Sequence, residues 1–482
     1  MGVLERYNIS RPQVILVAGI LFGFLMIMFF RFLKSTYATF LTFGMMIPFV
    51  IMIVGNAKRF LWAILIMCLP ITVDITLGSA EYIEHMSGTS GYLLSLFEIV
   101  LAGLYIIWFT EIIRRKDMSI DFFPRMTIPA LFLIGIAALS MVFARFPSLS
   151  GFEIIEVLKM YFCFLYLANN IKSESDIRFV VTFLILGLFF EGILGFAQHR
   201  YSEPFWPKAL GGPGWIGDRI SGTWVSPNDF AWCLTFILPI ALSILFSGIK
   251  PFYKLLCGLT FFLSSASLMW SNSRGGWISL GIGVLFGSLF VFNKIKGKKG
   301  LIKTFIWIVF VLILISPLFP RLSNKFVARF GGSDRGSAQS RLPQYNVAYS
   351  IIRSNPIIGV GVNNYTEVMH DYDITTDEGL ESITPNAVHN IFLHIAAEMG
   401  ILGIVTFIWF ITTIFVEGMA SISKGGFMAY TVIGMLAGIM AFLVHGMVDT
   451  ASLGSKLYMF VWFFAGIIFA VRKINPVANL AS

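Results

Sequence analysis

FMAYTVIGMLAGIMAFLVHGM, residues 427–447, carries no Asp, Glu, Lys or Arg along its whole length. A run of this kind is long enough to cross a hydrocarbon core of roughly 30 Å as a helix. Backbone amides in lipid must bond within their own segment, so the run reads as a transmembrane helix. Working outward from it, comparable runs recur near 13–31, 37–55, 60–75, 92–112, 126–144, 153–171, 178–198, 228–247, 253–271, 275–292, 303–319, 390–416 and 456–471. The expected fold is an all-α membrane protein of about fourteen transmembrane helices, with a long outer loop containing short amphipathic helices. The run at 60–75 is short and ends at Pro70 and Asp74. A re-entrant segment there would flip everything before it.

Composition points the same way. Of 482 residues, 57% are hydrophobic and 13% charged, and the mean hydropathy of +0.81 lies far outside the range of soluble domains. Cations fall at alternate loops: Arg6 and Arg11; Lys58 and Arg59; Arg114, Arg115, Lys116 and Arg125; Lys172 and Arg178; Lys250 and Lys254; Lys294, Lys296, Lys298 and Lys299; Lys424; Arg472 and Lys473. That alternation places both termini in the cytoplasm and favours an even number of spans. The net charge of +9 follows from this bias, so no nucleic acid need be invoked. KIKGKK at 294–299 suits contact with anionic headgroups of membrane lipids. The first apolar run is full length and lacks a small-residue cleavage site, so it is expected to stay as the first helix. Cys68, Cys163, Cys233 and Cys257 lie in apolar runs without paired ligand spacing and read as packing residues, implying neither disulfide nor metal.

Four regions follow: N-terminal helices over 1–198, a helical region with a first outer loop over 199–319, a large outer loop over 320–389, and C-terminal helices over 390–482. The outer segments near 199–227 and 320–389 hold Gly, Pro, Asn, Trp and most arginines that topology does not require. That composition suits shaped surface loops that bind something. Within SNSRGGW, Arg274 sits in a tight outer turn between two spans. Gly275 and Gly276 would let backbone approach a ligand, and the amide end of the next helix would join the guanidinium in an anion site suited to phosphate. The alternative is an arginine snorkelling to headgroups.

In SRLPQYNVAYSIIRSNPIIGVGVNNY, 340–365, Ser340 is expected to cap a helix from Arg341 to about Arg353, ended by Asn355 and Pro356. Leu342, Tyr345, Ala348, Tyr349 and Ile352 recur at helical spacing, giving an amphipathic helix along the membrane or on the bundle. Arg341, at its first turn, would either reach into a cavity or stay solvated. In TPNAVHNIFLHIAAEMGILGIV, 384–405, His389 lies where the long loop enters a span. The positive helix end disfavours a charged ring, so His389 suits a general base as well as an interface role. His394 reads as packing or interhelical bonding. DRISGTWVSPNDFAWCL, 218–234, offers Arg219 beside Asn228, either as a further cation or as part of a docked loop. Glu98, Glu156, Lys159 and Glu191 stand inside spans, where ionisable groups are costly and keep a transporter alternative open; Glu156 and Lys159 are spaced to pair. Asp371, Asp373, Asp377 and Glu378 read as solvated loop surface.

Taken together, SRGGW, SRLPQYNVAYSIIRSNPIIGVG after a long outer loop and HNIFLHIAAEMGILG, in that order over about 200–410, resemble the bacterial O-antigen ligase and polymerase family of integral membrane glycosyltransferases. RISGTWVSPNDFA resembles the stretch that precedes this core. The resemblance implies a transferase of the inner membrane, without cofactor or metal, whose site faces the periplasm. It would move a glycan from undecaprenyl diphosphate to an acceptor hydroxyl with inversion. Lipid A core is the favoured acceptor, which would place the chain in lipopolysaccharide biosynthesis. It further implies that Arg274 and Arg341 clamp the donor diphosphate, with Arg219 beside them, and that His389 deprotonates the acceptor. About twelve spans would be usual for the family, so fourteen points to an extra N-terminal pair. The shared motifs leave open a polysaccharide polymerase or a protein-glycosylating branch. A flippase or transporter would instead show paired broken helices in two related halves, and no such internal repeat is found.

Overall fold

The computed structural model describes residues 56–77, 90–114, 120–122, 124–206, 212–213, 218–294, 341–372 and 387–474. The expected spans near 13–31, 37–55 and 303–319, the basic run at 295–299, Ser340, Asp373, Asp377 and Glu378 lie outside them. Each of the other expected spans overlaps a helix, though 60–75 does so only as far as Met67. The helices are α1 Ala57–Met67, α2 Leu96–Arg114, α3 Thr127–Met141, α4 Pro147–Asn170, α5 Glu174–Tyr201, α6 Pro227–Leu245, α7 Pro251–Trp270 and α8 Arg274–Lys294, then α11 Ile391–Ser421, α12 Gly426–His445 and α13 Lys456–Lys473. Between α8 and α11 lie α9 Arg341–Ser354 and the single turn α10 Tyr365–Val368. Among the described residues, seven helices are long and apolar enough to cross a membrane, which makes this a multi-pass membrane protein.

The N-terminal part departs from the all-α expectation. A two-stranded antiparallel ribbon, β1 Asp74–Leu77 and β2 Tyr92–Ser95, pairs Asp74 with Ser95 and Leu77 with Tyr92. The span expected from 92 therefore begins as a strand, and its helix starts at Leu96. There Glu98 accepts from the Ser95 amide at 2.6 Å and from its hydroxyl, so this carboxylate caps the helix. The short α1 has 11 residues and is not one of those seven helices. It starts with Lys58 on Glu111 and Arg59 on Asp176, both at 2.6 Å, and the chain beyond it meets the other end of the bundle, where Lys456 donates to the Ile71 carbonyl at 3.0 Å.

The polar contacts sort into two ends, as the alternation of cations requires. At the basic end, besides the pairs of Lys58 and Arg59, Glu417 takes Arg125 and Arg472 at 3.1 and 3.7 Å, and Lys473 pairs with Asp121 at 2.7 Å. At the opposite end lie the turns and loops that hold Arg219, Arg274, Arg341 and His389. The core between them is aromatic: Phe236 of α6 stacks on Phe442 of α12 and on Phe460 of α13, with centroids 5.0 Å apart in each case. Such stacks add to the burial they accompany.

The intramembrane ionisable groups are paired. Lys159 reaches Glu156 at 2.6 Å and Glu98 at 3.5 Å, as the three-residue spacing on α4 anticipates. Glu191 of α5 accepts the Thr223 hydroxyl at 2.5 Å and its amide at 3.2 Å. Part of the segment expected as an outer surface loop is therefore interior: Ile220, Ser221, Thr223 and Trp224 are buried. Gln198 takes the Gly222 amide and donates to its carbonyl, so α5 supplies the partners that let irregular backbone sit inside the bundle.

Helix α11 is broken at Gly400, whose φ of 63° and ψ of −162° suit glycine alone. The break frees carbonyls before it and amides after it, and residues 356–361 fill both sets. Val360 and Gly361 donate to Ala397 and Glu398 at 3.1 and 2.9 Å, while Ile401 and Leu402 donate to Pro356 and Ile357 at 2.9 and 3.3 Å. This clasp occupies, with protein, backbone groups of the kind by which transporter half-helices hold ions.

Candidate active site

The turn Ser271–Ser273 joins α7 to α8 and places Arg274 at the first position of α8. Asn272 takes a left-handed φ of 53°, and Ser273 caps the helix by accepting from the Gly276 amide at 3.3 Å. The tight turn matches expectation, but its glycines have a different task. A Cβ at Gly275 would lie 2.7 Å from His445 Cδ2, and one at Gly276 3.0 Å from the Ala231 Cβ. The missing side chains thus let α8 approach α12 and α6, and those spaces are taken by protein instead of being left for a ligand.

Arg219 lies against this same turn. Its Nε donates to the Ser271 carbonyl at 2.8 Å and its Nη2 to Asn228 Oδ1 at 2.7 Å. The guanidinium ties the inserted loop, the start of α6 and the α7–α8 turn together.

Arg341 opens α9, whose bounds, Arg341–Ser354, agree with the sequence reading. Its orientation agrees in part: Tyr345, Ala348 and Ile352 face a small core as expected, but Leu342 and Tyr349 do not. Gln344, Val347, Ala348 and Ile351 are buried, whereas Leu342 and Tyr349 are exposed. The inward face is set by a small separate core in which Val347, Ala348 and Ile351 meet Tyr365, Met369, Val388 and Ala397. One turn beyond Arg341, the Tyr345 hydroxyl donates to the His389 carbonyl at 3.3 Å.

His389 directly precedes the N-cap of α11. The cap is Asn390, whose Oδ1 accepts from the Phe392 and Leu393 amides at 3.0 and 3.1 Å. The backbone here is pinned to the end of α12, with Ile391 donating to the Gly446 carbonyl at 2.7 Å and Asn390 to that of Met447 at 3.2 Å. The His389 ring meets Asp449, Nδ1 to Oδ1, at 2.8 Å. An ionised carboxylate only accepts, so Nδ1 carries the proton, and in the neutral ring the lone pair then sits on Nε2. His394, deeper in α11, pairs with Glu398 at 3.3 Å, and Glu398 in turn accepts from the Tyr365 amide at 3.2 Å. That is the interior bonding expected of it.

Sequence reasoning missed Asp449 and His445. Both stand in HGMVDT, 445–450, at the outer edge of the run that decided the fold. The available signal was an acidic residue at a span end where topology requires no charge. His445 lies under the Trp232 ring, 4.6 Å between centroids, and 3.5 Å from the Ser273 hydroxyl. Contacts therefore run unbroken from the Arg274 turn through His445 and the 446–449 turn to His389, and from His389 through Tyr345 to the helix that starts at Arg341.

Burial pushes the Asp449 carboxyl up, but the His389 hydrogen bond and the nearby His445 and His389 rings outweigh it and hold the group below its usual range. A folded value below the unfolded one means that the ionised form stabilises the fold. That contribution is complete above about pH 4 and is lost as pH falls through the lower folded value. The gap in Tm between wild type and Asp449→Asn in detergent is accordingly expected to be full near about pH 6 and to close below about pH 4. A gap independent of pH would show that the charge does not matter.

Residues 259–408 match the family model Wzy_C, described as O-Antigen ligase. The matched stretch takes in Arg274, Arg341 and His389, and leaves Arg219, His445 and Asp449 outside. No curated protein matches the chain.

Proposed function

From a chain whose residues 259–408 match the O-antigen ligase family model, we propose a membrane glycosyltransferase that moves a glycan from undecaprenyl diphosphate to an acceptor hydroxyl, with lipid A core as the favoured acceptor. The basic end of the bundle faces the cytoplasm, by the preference of Lys and Arg for that side. The His389 end then faces the periplasm of the bacterial inner membrane.

The observation that carries this reading is the 2.8 Å bond between His389 and Asp449, made where the arginine-bearing starts of α8 and α9 also converge. In the proposed reaction, His389 Nε2 takes the acceptor proton as the acceptor oxygen attacks the anomeric carbon. The bond from that carbon to the diphosphate breaks, and the diphosphate leaves with the electron pair. Arg274 and Arg341 are assigned the charge that builds on the leaving oxygens, since cations fixed in advance favour the transition state over the ground state. Attack opposite the leaving group inverts the centre. Asp449 holds the His389 ring and favours the imidazolium that forms. Arg219 braces the turn that carries Arg274 and adds its charge to the donor side.

The test uses purified protein, undecaprenyl-diphosphate glycan, and either lipid A core or a second donor molecule as acceptor. One shifted lipid band is the expected product. A ladder of products would make the chain a polymerase, and movement of intact donor between leaflets without bond formation would overturn transfer altogether. Arg274→Ala and Arg341→Ala are each expected to lower kcat by roughly 10²- to 10³-fold, the usual loss of one group that stabilises developing charge. Wild-type turnover in either variant would remove that arginine from the donor clamp.

A further inference from the structure

At the basic end of the bundle, α5, α6, α7 and α12 part to leave an open cleft of about 50 Å³. Its wall is chiefly apolar, with Val181 and Ile185 from α5, Ile244 from α6, Leu256 from α7 and Phe427 from α12. Such a wall gives water few hydrogen-bond partners, and apolar cavities stay dry. On the opposite face of α7, Leu255, Leu259 and Phe262 are exposed and apolar, which sets that side of the helix against the bilayer. The filler at hand is a hydrocarbon chain.

The rim is cationic. Arg178 lies at the mouth with its guanidinium 4.4 Å over the Phe427 ring. Lys250 and Lys254, beside the lining residues Ile249 and Tyr253, are exposed. Glu174, bound to Arg178 at 2.5 Å, offsets one of these three cations. Phe252 and Tyr253 are exposed at the same edge, the position of aromatic side chains at a membrane–water boundary.

We propose that this cleft binds one anionic phospholipid, with an acyl chain between the helices and the phosphodiester at Lys250, Lys254 and Arg178. Basic pockets between transmembrane helices hold anionic headgroups in this way. A zwitterionic headgroup would bring its own cation against the three, so charge selects phosphatidylglycerol over phosphatidylcholine. The site is at the far end of the bundle from His389, and it stands or falls independently of glycan transfer.

The experiment offers delipidated full-length protein an equal mixture of phosphatidylglycerol and phosphatidylcholine, without glycan donor, and counts retained lipid by native mass spectrometry. Wild type is expected to retain phosphatidylglycerol preferentially. The double variant Lys250→Ala/Lys254→Ala is expected to bind it roughly thirty-fold more weakly, as removal of two cations near an anionic headgroup implies. Val181→Trp, which fills the cleft but keeps the rim, is expected to lose the retained lipid. Equal retention of both lipids by wild type would overturn the proposal, and that arm needs no variant. Unchanged retention in the double lysine variant, or in Val181→Trp, would overturn it as well.

Discussion

His389→Ala is expected to leave the protein in the membrane at wild-type abundance and to lower glycan transfer by about 10³-fold or more in kcat. A positioned general base contributes about 10²- to 10⁴-fold, and a base oriented by a carboxylate belongs to the upper part of that range. Structure should tolerate the change. The ring is a third exposed, its side chain 32% accessible, so little apolar burial is lost. The backbone bond from Tyr345 uses the His389 carbonyl, which alanine keeps, and Asn390 still caps α11. Asp449 keeps its bond to the Thr450 amide at 3.0 Å. Loss of kcat with KM little changed is the signature of a group acting in the transition state. Initial rates with lipid-linked donor in proteoliposomes would measure it, and normal turnover by the variant would remove His389 from the chemistry.

The sequence made some parts of this molecule legible and hid others, for physical reasons. Long apolar runs have one solution in lipid, so α2 to α8 and α11 to α13 could be placed to within a few residues. Lys58, Arg59, Arg125, Arg472 and Lys473 could be assigned to one end because topology biases them, and their ion pairs lie together there. His389, Arg274 and Arg341 could be singled out because each stands at a helix start beside an outer loop. Less legible were features that depend on what lies opposite. The inward face of α9 is chosen by Tyr365, Met369 and Val388, so the periodicity of Leu342 and Tyr349 pointed the wrong way. The glycines of SRGGW meet His445 and Ala231, partners distant in sequence. Asp449 gains its meaning from a histidine sixty positions earlier, and a lone carboxylate at a span end carries no pattern of its own. The ribbon of β1 and β2 was hidden because an apolar run of strand length cannot be told from the start of a helix by periodicity.

Gly400→Val is expected to destabilise the outer part of the protein by at least about 3 kcal/mol, since it combines backbone strain with a steric clash. The φ of 63° with ψ of −162° lies where β-branched side chains are excluded. A Cβ there would also overlap the Ile357 carbonyl and the Ile358 amide. Relieving either problem means opening the clasp, and opening it exposes the Ala397 and Glu398 carbonyls inside the bundle at the cost of unsatisfied polar groups. The clasp is what fixes Pro356–Gly361 to α11, and with it the C-terminal end of α9, whose other end carries Arg341. Transfer should therefore fall with stability, while the stack of Phe236, Phe442 and Phe460 stays folded. Limited proteolysis in detergent is expected to cut within residues 341–372 in the variant before the bundle is touched. Gly258→Val is the control: it lies on α7, where an added Cβ meets nothing within 4 Å, and it should resist protease like wild type. If Gly400→Val matched that control in both proteolysis and transfer, the broken helix would not be what holds Arg341 in place.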